Sequence, residues 1–209
     1  MGNLEQACFV TGIGTGVGKT FVSAVLCSGL KSLYWKPVQA GRDPESDTET
    51  VKRLTALGDE HFLPEFKILQ TPCSPHEAAK IEGIRLNPDE IHLPTPVGKF
   101  LLVEGAGGIF VPLNDETLYI SLVKRWNIPV VVVSANYLGS INHSLLTLAA
   151  IKDQQIPIKG IIFSGVANPE SERVIESYSG CKVLGKIPFI ANPDVVAVQS
   201  AFQKYISWE

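Results

Sequence analysis

The stretch "FVTGIGTGVGKT" (Phe9–Thr20) joins an apolar run to a helical pattern through a glycine-rich turn. A phosphate-binding loop requires this order of strand, glycine-rich turn and helix. Glycines let backbone N–H groups turn toward phosphate oxygens, and the N-terminus of the following helix adds a favourable dipole. The stretch therefore predicts a phosphate-binding α/β domain, and the alternative is a strand-to-helix turn with no ligand.

The spacing of this loop departs from the common pattern G-x-x-x-x-G-K-[ST]. That pattern would place its first glycine at position 13, where Ile13 stands between Gly12 and Gly14. Counted from Gly12, the loop is one residue longer, which leaves room for a second small substrate beside a γ-phosphate. We expect Lys19 to reach the β- and γ-phosphates and the Thr20 hydroxyl to bind Mg²⁺.

Short apolar runs alternate with helical patterns along the rest of the chain. The predicted strands are Ala7–Gly12, Ser32–Val38, Lys99–Gly105, Ile128–Ala135, Lys159–Val166 and Lys182–Pro188. The predicted helices are Gly18–Lys31, Asp47–Leu57, Pro75–Glu82, Leu118–Trp126, Ser140–Gln154, Pro169–Ser179 and Pro193–Tyr205. Near-continuous hydrophobicity of the strands indicates a sheet that is covered on both faces. The pattern predicts a P-loop NTPase-like, doubly wound α/β fold, with a mostly parallel sheet, helices on both faces and ligands beyond the carboxyl ends of the strands.

Length and composition limit the function classes. The 209 residues suit a single domain spanning 1–209, and the net charge of −3 predicts no broad basic face for nucleic acid or anionic membrane. The apolar runs are too short to span a bilayer, and "MGNLEQACFV" lacks the pattern of a secretory signal. Four scattered cysteines without a C-x-x-C pair argue against a zinc knuckle or a disulfide framework and favour the reducing cytoplasm.

Three charged residues outside the loop can each be interpreted in two ways. Glu104 follows an apolar strand, where it is either a solvated strand-end residue or the second Mg²⁺ group of a P-loop fold. Asp47 follows Ser46, which forms a capping-box pattern with Glu49, so Asp47 is either a first-turn residue that suits the helix dipole or a ligand. Lys36, before a proline that ends the strand, is either a surface group or a functional cation.

Taken together, several segments resemble the dethiobiotin synthetase family, the ATP-dependent ring-closing ligases of biotin synthesis. The matching segments are "FVTGIGTGVGKT", "KPVQAG", Ser46–Asp47, "SPHEAA", "LLVEGAGGIFVPL", "LGSINHSLLT", "GVAN" and "GKIP". They run in family order from Phe9 to about Pro188 and cover most of the chain. The combination is specific, although no single segment is.

The resemblance implies a set of site residues. Lys36 and Lys19 match the catalytic lysines, and Thr20, Asp47 and Glu104 match the groups that hold Mg²⁺. The implied ATP-binding residues are Thr15, Gly16, Val17, Gly18, Lys19, Thr20, Phe21, Asp47, Glu104, Gly105, Ala106, Gly107, Asn168, Pro169, Pro188, Phe189 and Ile190. The implied substrate-binding residues are Thr15, Lys36, Ala40, Gly107, Gly108, Leu138, Gly139, Ile141 and Asn142.

The resemblance also implies the reaction and the assembly. The family joins CO₂ to 7,8-diaminononanoate, with ATP as co-substrate, through a carbamate and a carbamic–phosphoric anhydride that the second amine closes to a cyclic urea. Several negative charges meet at one point, so both lysines and Mg²⁺ have charge to stabilise. Proteins of the family are homodimers, and "YLGSINH" matches a segment that completes the partner subunit's substrate site.

Two positions depart from the family pattern, and both belong to the substrate half of the site. Ala40 stands where the family commonly has Ser or Thr, and Gly16 stands where some members have Glu. His76 and His143 lie in matched segments but are interpreted as structural, as are Trp35, Trp126 and Trp208.

Three other classes share features with this chain. A nucleotide-dependent switch protein usually has a second lysine within the phosphate loop, and no lysine precedes Lys19 there. A GTPase would show the guanine-binding motif N-K-x-D or T-K-x-D, and the chain has neither. A small-molecule kinase usually has an arginine-rich lid, and the chain has few arginines in its long connecting stretches. A related amide-forming synthase would need an additional glutamine-hydrolysing domain, for which 209 residues leave no room.

Overall fold

The computed structural model describes residues 6–42 and 44–208. Its strands are β1 Ala7–Gly12, β2 Leu33–Trp35, β3 Val38–Ala40, β4 Phe62–Leu63, β5 Lys67–Leu69, β6 Leu101–Gly108, β7 Val130–Ala135, β8 Ile158–Gly165 and β9 Val183–Pro188. Its helices are α1 Lys19–Leu30, α2 Asp47–Thr55, α3 Pro75–Ile81, α4 Tyr119–Trp126, α5 Ser140–Asp153, α6 Pro169–Ser179 and α7 Val195–Tyr205. Short 3-10 turns occupy Asp59–His61 and Pro88–Glu90.

The main sheet has the strand order β4-β2-β6-β1-β7-β8-β9, and each of its strand pairs is parallel. Every residue of the central strand β1 is buried, so helices cover both faces of the sheet. On one face α1 packs against α2 and α7, whereas Tyr119 and Trp126 of α4 contact Phe9 of β1. The order reverses at β1, which carries the phosphate loop at its carboxyl end. These features confirm the predicted P-loop NTPase-like fold class.

One predicted strand is wrong in its extent. The run Ser32–Val38 was expected to be continuous, but β2 ends at Trp35 and the chain then leaves the main sheet. Pro37 has no N–H to donate to the ladder, and β3 pairs instead with β5 in a separate two-stranded sheet. Lys36 therefore lies at the junction between two sheets.

A second difference concerns β6. The prediction ended this strand at Gly105, whereas β6 continues through the glycines to Gly108. Gly108 is paired with Gly12 at the end of β1, past an irregularity in the register of the two strands. Glu104 is therefore a residue within a central strand, with neighbours on both sides.

The predicted single domain, 1–209, includes residues outside the described ranges and stays a prediction. Within residues 6–42 and 44–208, no helix is long and apolar enough to cross a membrane.

Candidate active site

The phosphate loop leads from β1 into α1 through two glycines with left-handed backbone. Gly16 has φ 73° and Gly18 has φ 91°, values that side chains other than glycine rarely adopt. A Cβ on Gly18 would also lie 2.7 Å from the hydroxyl of Ser164, so space and backbone both require glycine there. No side chain caps the start of α1, which leaves its first N–H groups for an anion.

Lys19 projects from the first turn of α1 back over the loop. Its Nζ donates a hydrogen bond to the carbonyl oxygen of Gly14 at 3.0 Å. Burial lowers the pKa of Lys19 to about 8, although the Glu104 carboxylate works in the opposite direction. Burial makes the charged form of Lys19 costly, and the negative charge of a bound phosphate would stabilise that form.

Oxygen atoms from three separate segments converge beside the loop. The Thr20 hydroxyl lies 2.7 Å from Oδ1 of Asp47 and 3.1 Å from Oε1 of Glu104. The capping box between Ser46 and Glu49 is formed as predicted, so it fixes the helix turn from which Asp47 projects. Asp47 therefore both opens α2 and faces the site.

Lys36 lies between the two carboxylates. Its Nζ is 2.6 Å from Oδ2 of Asp47 and 3.2 Å from Oε1 of Glu104, and it donates to the carbonyl oxygen of Gly105 at 3.0 Å. The residue is 2% exposed, which excludes the alternative of a surface lysine. Burial by itself would lower the pKa of Lys36, but Glu104 and Asp47 outweigh it and raise that pKa above its ordinary value. Lys36 is therefore a fixed cation.

Glu104 is 0% exposed, so the alternative of a solvated strand-end carboxylate is also wrong. Its second oxygen, Oε2, accepts a hydrogen bond from the hydroxyl of Tyr34 at 3.0 Å. A buried carboxylate is stable only when its lone pairs are satisfied. Thr20, Lys36 and Tyr34 together meet this need. Tyr34 was missed from the sequence, where it is one aromatic residue of an apolar strand.

The donor set of this cluster fits Mg²⁺ bound together with a nucleotide. Mg²⁺ prefers oxygen ligands and usually takes one or two carboxylates, with phosphates and waters filling its other positions. Thr20, Asp47 and Glu104 supply hydroxyl and carboxylate oxygens of this kind. Within the described ranges, no group of three or more His, Cys, Asp or Glu residues could hold a metal ion.

Two cavities are lined by residues of the loop and share some of them. The first, the charged cavity, has a volume of about 700 Å³. Its walls include the predicted residues Thr15, Gly16, Gly18, Lys19, Thr20, Phe21, Lys36, Ala40, Asp47, Glu104, Ala106 and Gly107. The second, the apolar cleft, has a volume of about 710 Å³ and is lined by Val17, Pro188, Phe189 and Ile190, with Gly16, Gly18, Thr20 and Phe21 shared between the two cavities.

Eight predicted residues line neither cavity: Gly105, Gly108, Leu138, Gly139, Ile141, Asn142, Asn168 and Pro169. The Asn168 side chain caps α6, where its Oδ1 accepts from the N–H of Ser171 at 3.1 Å. Leu138 is fully exposed to solvent. The roles assigned to these eight residues stay predictions.

Several cavity residues were not predicted. Gln39 lines the charged cavity, and its Oε1 accepts from the N–H of Asp47 at 3.1 Å. Cys73 lines the same cavity and directly precedes the quoted segment "SPHEAA". In the apolar cleft, Arg53 and Asn136 are additional lining residues. Gln39 and Gly41 belong to "KPVQAG", and the further lining residues Ser74, Pro75 and Val111 also belong to segments quoted above, so their positions could have drawn attention to them.

The histidines and two of the tryptophans make contacts within the chain, and their interpretation as structural residues stays a prediction. His76 Nδ1 lies 2.9 Å from the Ser74 hydroxyl, and His143 Nδ1 lies 2.8 Å from the hydroxyl of Tyr137. Trp35 and Trp126 are buried with ring centroids 5.7 Å apart.

Comparison with known proteins gives consistent results. The AAA domain family matches residues 6–196. The ATP-dependent dethiobiotin synthetase BioD of Afipia carboxidovorans is 45% identical over 193 residues, which are 92% of this chain and 92% of the relative. The protein of the same name from Brucella melitensis is 44% identical over 187 residues, 90% of this chain and 88% of the relative.

Solved structures show the same fold at low identity. A ParA family ATPase from Chlorobium tepidum aligns with a TM-score of 0.55 at 12% identity, over 94% of this chain and 90% of that one. A nucleotide-binding protein in complex with ADP, from Archaeoglobus fulgidus, aligns with a TM-score of 0.52 at 12% identity, over 99% and 95%. At this identity the likeness supports the fold alone.

Proposed function

We infer that this chain, which belongs to the family of ATP-dependent dethiobiotin synthetases, is a ligase that forms dethiobiotin with ATP in biotin biosynthesis. The observation that carries the inference is the position of Lys36, a buried cation held by Asp47 and Glu104 in the wall of the charged cavity. The same cavity is lined by the phosphate loop. A site for a nucleotide and a site for a second small molecule therefore meet at two lysines.

We propose that ATP spans both cavities, with its base in the apolar cleft and its phosphates on the loop. Pro188, Phe189 and Ile190 provide an apolar wall in that cleft. The loop amides and Lys19 would hold the phosphate oxygens. Thr20, Asp47 and Glu104 would hold Mg²⁺, which when bound neutralises charge on the β- and γ-phosphates.

The diamine would occupy the charged cavity beside the γ-phosphate. One amine adds to CO₂ and loses a proton, which gives a carbamate. A carbamate oxygen then attacks the γ-phosphorus, and the bond to the bridging oxygen breaks to release ADP. The second amine attacks the carbonyl carbon of the mixed anhydride, loses a proton and expels phosphate as the ring closes.

In this scheme the lysines act through charge. The raised pKa keeps Lys36 protonated, so it suits stabilisation of a developing anion and not proton abstraction. Lys19 serves the phosphates in the same way. The carboxylates that hold Lys36 fix its ammonium in place before substrates bind, which limits reorganisation during the reaction.

Ala40 and Gly16 both line the charged cavity, where we place the diamine. Ala40 offers no hydroxyl, and Gly16 offers no carboxylate for an amine. We propose that contacts to the diamine therefore come from other wall residues, among which Ser74 has a hydroxyl.

We further propose a homodimer in which "YLGSINH" completes the partner subunit's site. Leu138, just before α5, and Leu146, within α5, have exposed apolar side chains, which supports this proposal. The start of α5 has Gly139 at its N-cap and no side-chain cap, so its amides could receive the substrate carboxylate. A cytoplasmic location is proposed as well, because all four cysteines are free thiols.

Product analysis tests the function. The purified protein is incubated with ATP, Mg²⁺, ¹³C-bicarbonate and 7,8-diaminononanoate, and products are followed by mass spectrometry and a phosphate assay. We expect a cyclic urea that carries the label, together with an equimolar amount of phosphate. Phosphate release that is independent of the diamine would contradict the ligase and favour a nucleotide-dependent switch.

A further inference from the structure

The first turn of α6 contains a buried carboxylate that the proposed chemistry does not use. Glu172 is 2% exposed, whereas Glu170 and Glu176 of the same helix are exposed. An ionised carboxylate in the protein interior is costly unless it is fully paired. A buried glutamate on an otherwise solvated acidic helix therefore needs a reason.

Glu172 makes hydrogen bonds and an ion pair to three different segments. Oε1 accepts from the side-chain amide of Asn136 at 2.8 Å and from the backbone N–H of Asn168 at 3.1 Å. Oε2 lies 2.9 Å from Nζ of Lys186. Burial opposes ionisation, but Lys186 and the two N–H donors outweigh it and lower the pKa of Glu172. The group is thus a charged anchor at neutral pH.

The three segments follow or form neighbouring strands of the sheet. Asn136 comes directly after β7, Asn168 follows β8, and Lys186 belongs to β9. The amide of Asn136 also donates to the carbonyl oxygen of Val166 at 3.0 Å, which links the first two segments a second time. One carboxylate therefore holds together the carboxyl ends of three strands.

These carboxyl ends form one wall of the apolar cleft. Asn136, Val166 and Pro188 all line it, and Pro188 lies two residues beyond Lys186. Glu172 itself lines neither cavity. It is placed behind the wall, where it can set the spacing of the wall without touching what binds there.

We propose that Glu172 is a positioning residue for the nucleotide base. By binding Asn136, Asn168 and Lys186, it fixes the distances between the carboxyl ends of β7, β8 and β9. These ends form the wall of the apolar cleft, where the base would bind. This inference rests on the proposed function only in that it takes the nucleotide base to occupy this cleft. It assigns Glu172 no part in phosphate binding or in the reaction.

The test is calorimetric binding of ADP and of inorganic tripolyphosphate to the whole protein. Glu172→Gln keeps the size of the side chain and removes its charge. We expect ADP binding to weaken about tenfold, the effect of losing one hydrogen bond to a charged group. Tripolyphosphate, which has no base, should bind with an affinity within about twofold of the unmodified protein. Glu176→Gln, one turn along the same helix and exposed, is the matched control.

A second variant tests whether a loss of ADP binding could come from misfolding of Glu172→Gln. Lys186 has a half-exposed side chain, so Lys186→Gln removes the ion pair from the solvent side. We expect the same selective loss of ADP binding. An unchanged ADP affinity in both variants would overturn the proposal, as would equal losses for ADP and tripolyphosphate. Because neither ligand reports on ring closure, failure of the ligase assay and failure of this proposal are distinguishable.

Discussion

The ammonium of Lys36 lies 2.6 Å from the carboxylate of Asp47, although 11 positions separate them in the chain. Lys36 stands where the chain leaves the main sheet, and Asp47 stands where α2 begins. The pair joins two places at which regular structure is interrupted. Thr20 also stands near such an end, at the start of α1, whereas Glu104 lies within strand β6.

Removal of the Asp47 charge should weaken Mg²⁺ binding. In Asp47→Asn the capping box between Ser46 and Glu49 is retained, so the helix should still form. We expect the Mg²⁺ concentration for half-maximal turnover to rise by roughly tenfold, since the ion loses a charged oxygen ligand. Asp59→Asn, at an exposed position, serves as control. A half-saturating Mg²⁺ concentration equal to that of the control would contradict the assignment.

Nucleotide binding should weaken in mildly alkaline solution. Burial lowers the pKa of Lys19 to about 8, so Lys19 is charged below that pH and increasingly neutral above it. A phosphate binds the charged form, and ADP binding above pH 8 must therefore take up a proton. In buffers with EDTA, the dissociation constant of ADP should rise between pH 8 and pH 10.

The control for this pH dependence is Lys19→Met, in which the rise should be absent. Calorimetry in two buffers of different ionisation enthalpy measures the proton uptake directly. A dissociation constant that stays level to pH 10 in the unmodified protein would show that Lys19 does not titrate in this range.

Loss of the Tyr34 hydroxyl should destabilise the protein. In Tyr34→Phe, Oε2 of the buried Glu104 loses its donor, which costs about 1–3 kcal/mol. For a chain of this length, the melting temperature should fall by roughly 2–12 °C. Tyr178→Phe changes an exposed tyrosine and should leave it unaltered. Equal melting temperatures for both variants would mean that Glu104 does not depend on this bond.

A charge at Leu138 should separate the proposed dimer. The side chain is fully exposed in the single chain, beside the start of α5. Leu138→Asp would bury a carboxylate in an apolar contact, which is strongly unfavourable. Light scattering after size exclusion should show a dimer for the unmodified protein and a monomer for this variant. Val97→Asp, at another exposed apolar position, should remain a dimer. A monomeric unmodified protein would refute the dimer.

The sequence predicted those parts of the fold that depend on local pattern. β1 and α6 have the predicted limits, and α2 has its predicted start. Each depends on adjacent residues: an unbroken apolar run in β1, an N-cap residue in α6 and a capping box in α2. The split between β2 and β3 was missed because pairing with β5 depends on a distant segment. Pro37 gave a local signal for the end of β2, although the predicted limits of the strand ran past it to Val38.

The site was predictable to the extent that it follows a motif. Lys19 and Thr20 were expected at the phosphate loop from the residues alone. Whether Lys36 and Glu104 were buried or solvated could not be decided from spacing, since burial depends on which strands become neighbours. Tyr34 and Glu172 carry no signal, because a tyrosine in a strand and a glutamate in a first helical turn are both ordinary. Their roles become visible only through their partners.

The central claim is that Lys36 acts on the reaction and not on nucleotide binding. The most direct measurement compares turnover and the ATP dissociation constant in Lys36→Gln with those in Lys31→Gln, which changes an exposed lysine at the end of α1. We expect Lys36→Gln to lose turnover by at least about 100-fold while its ATP dissociation constant changes by less than about threefold. Turnover equal to that of Lys31→Gln would contradict this claim.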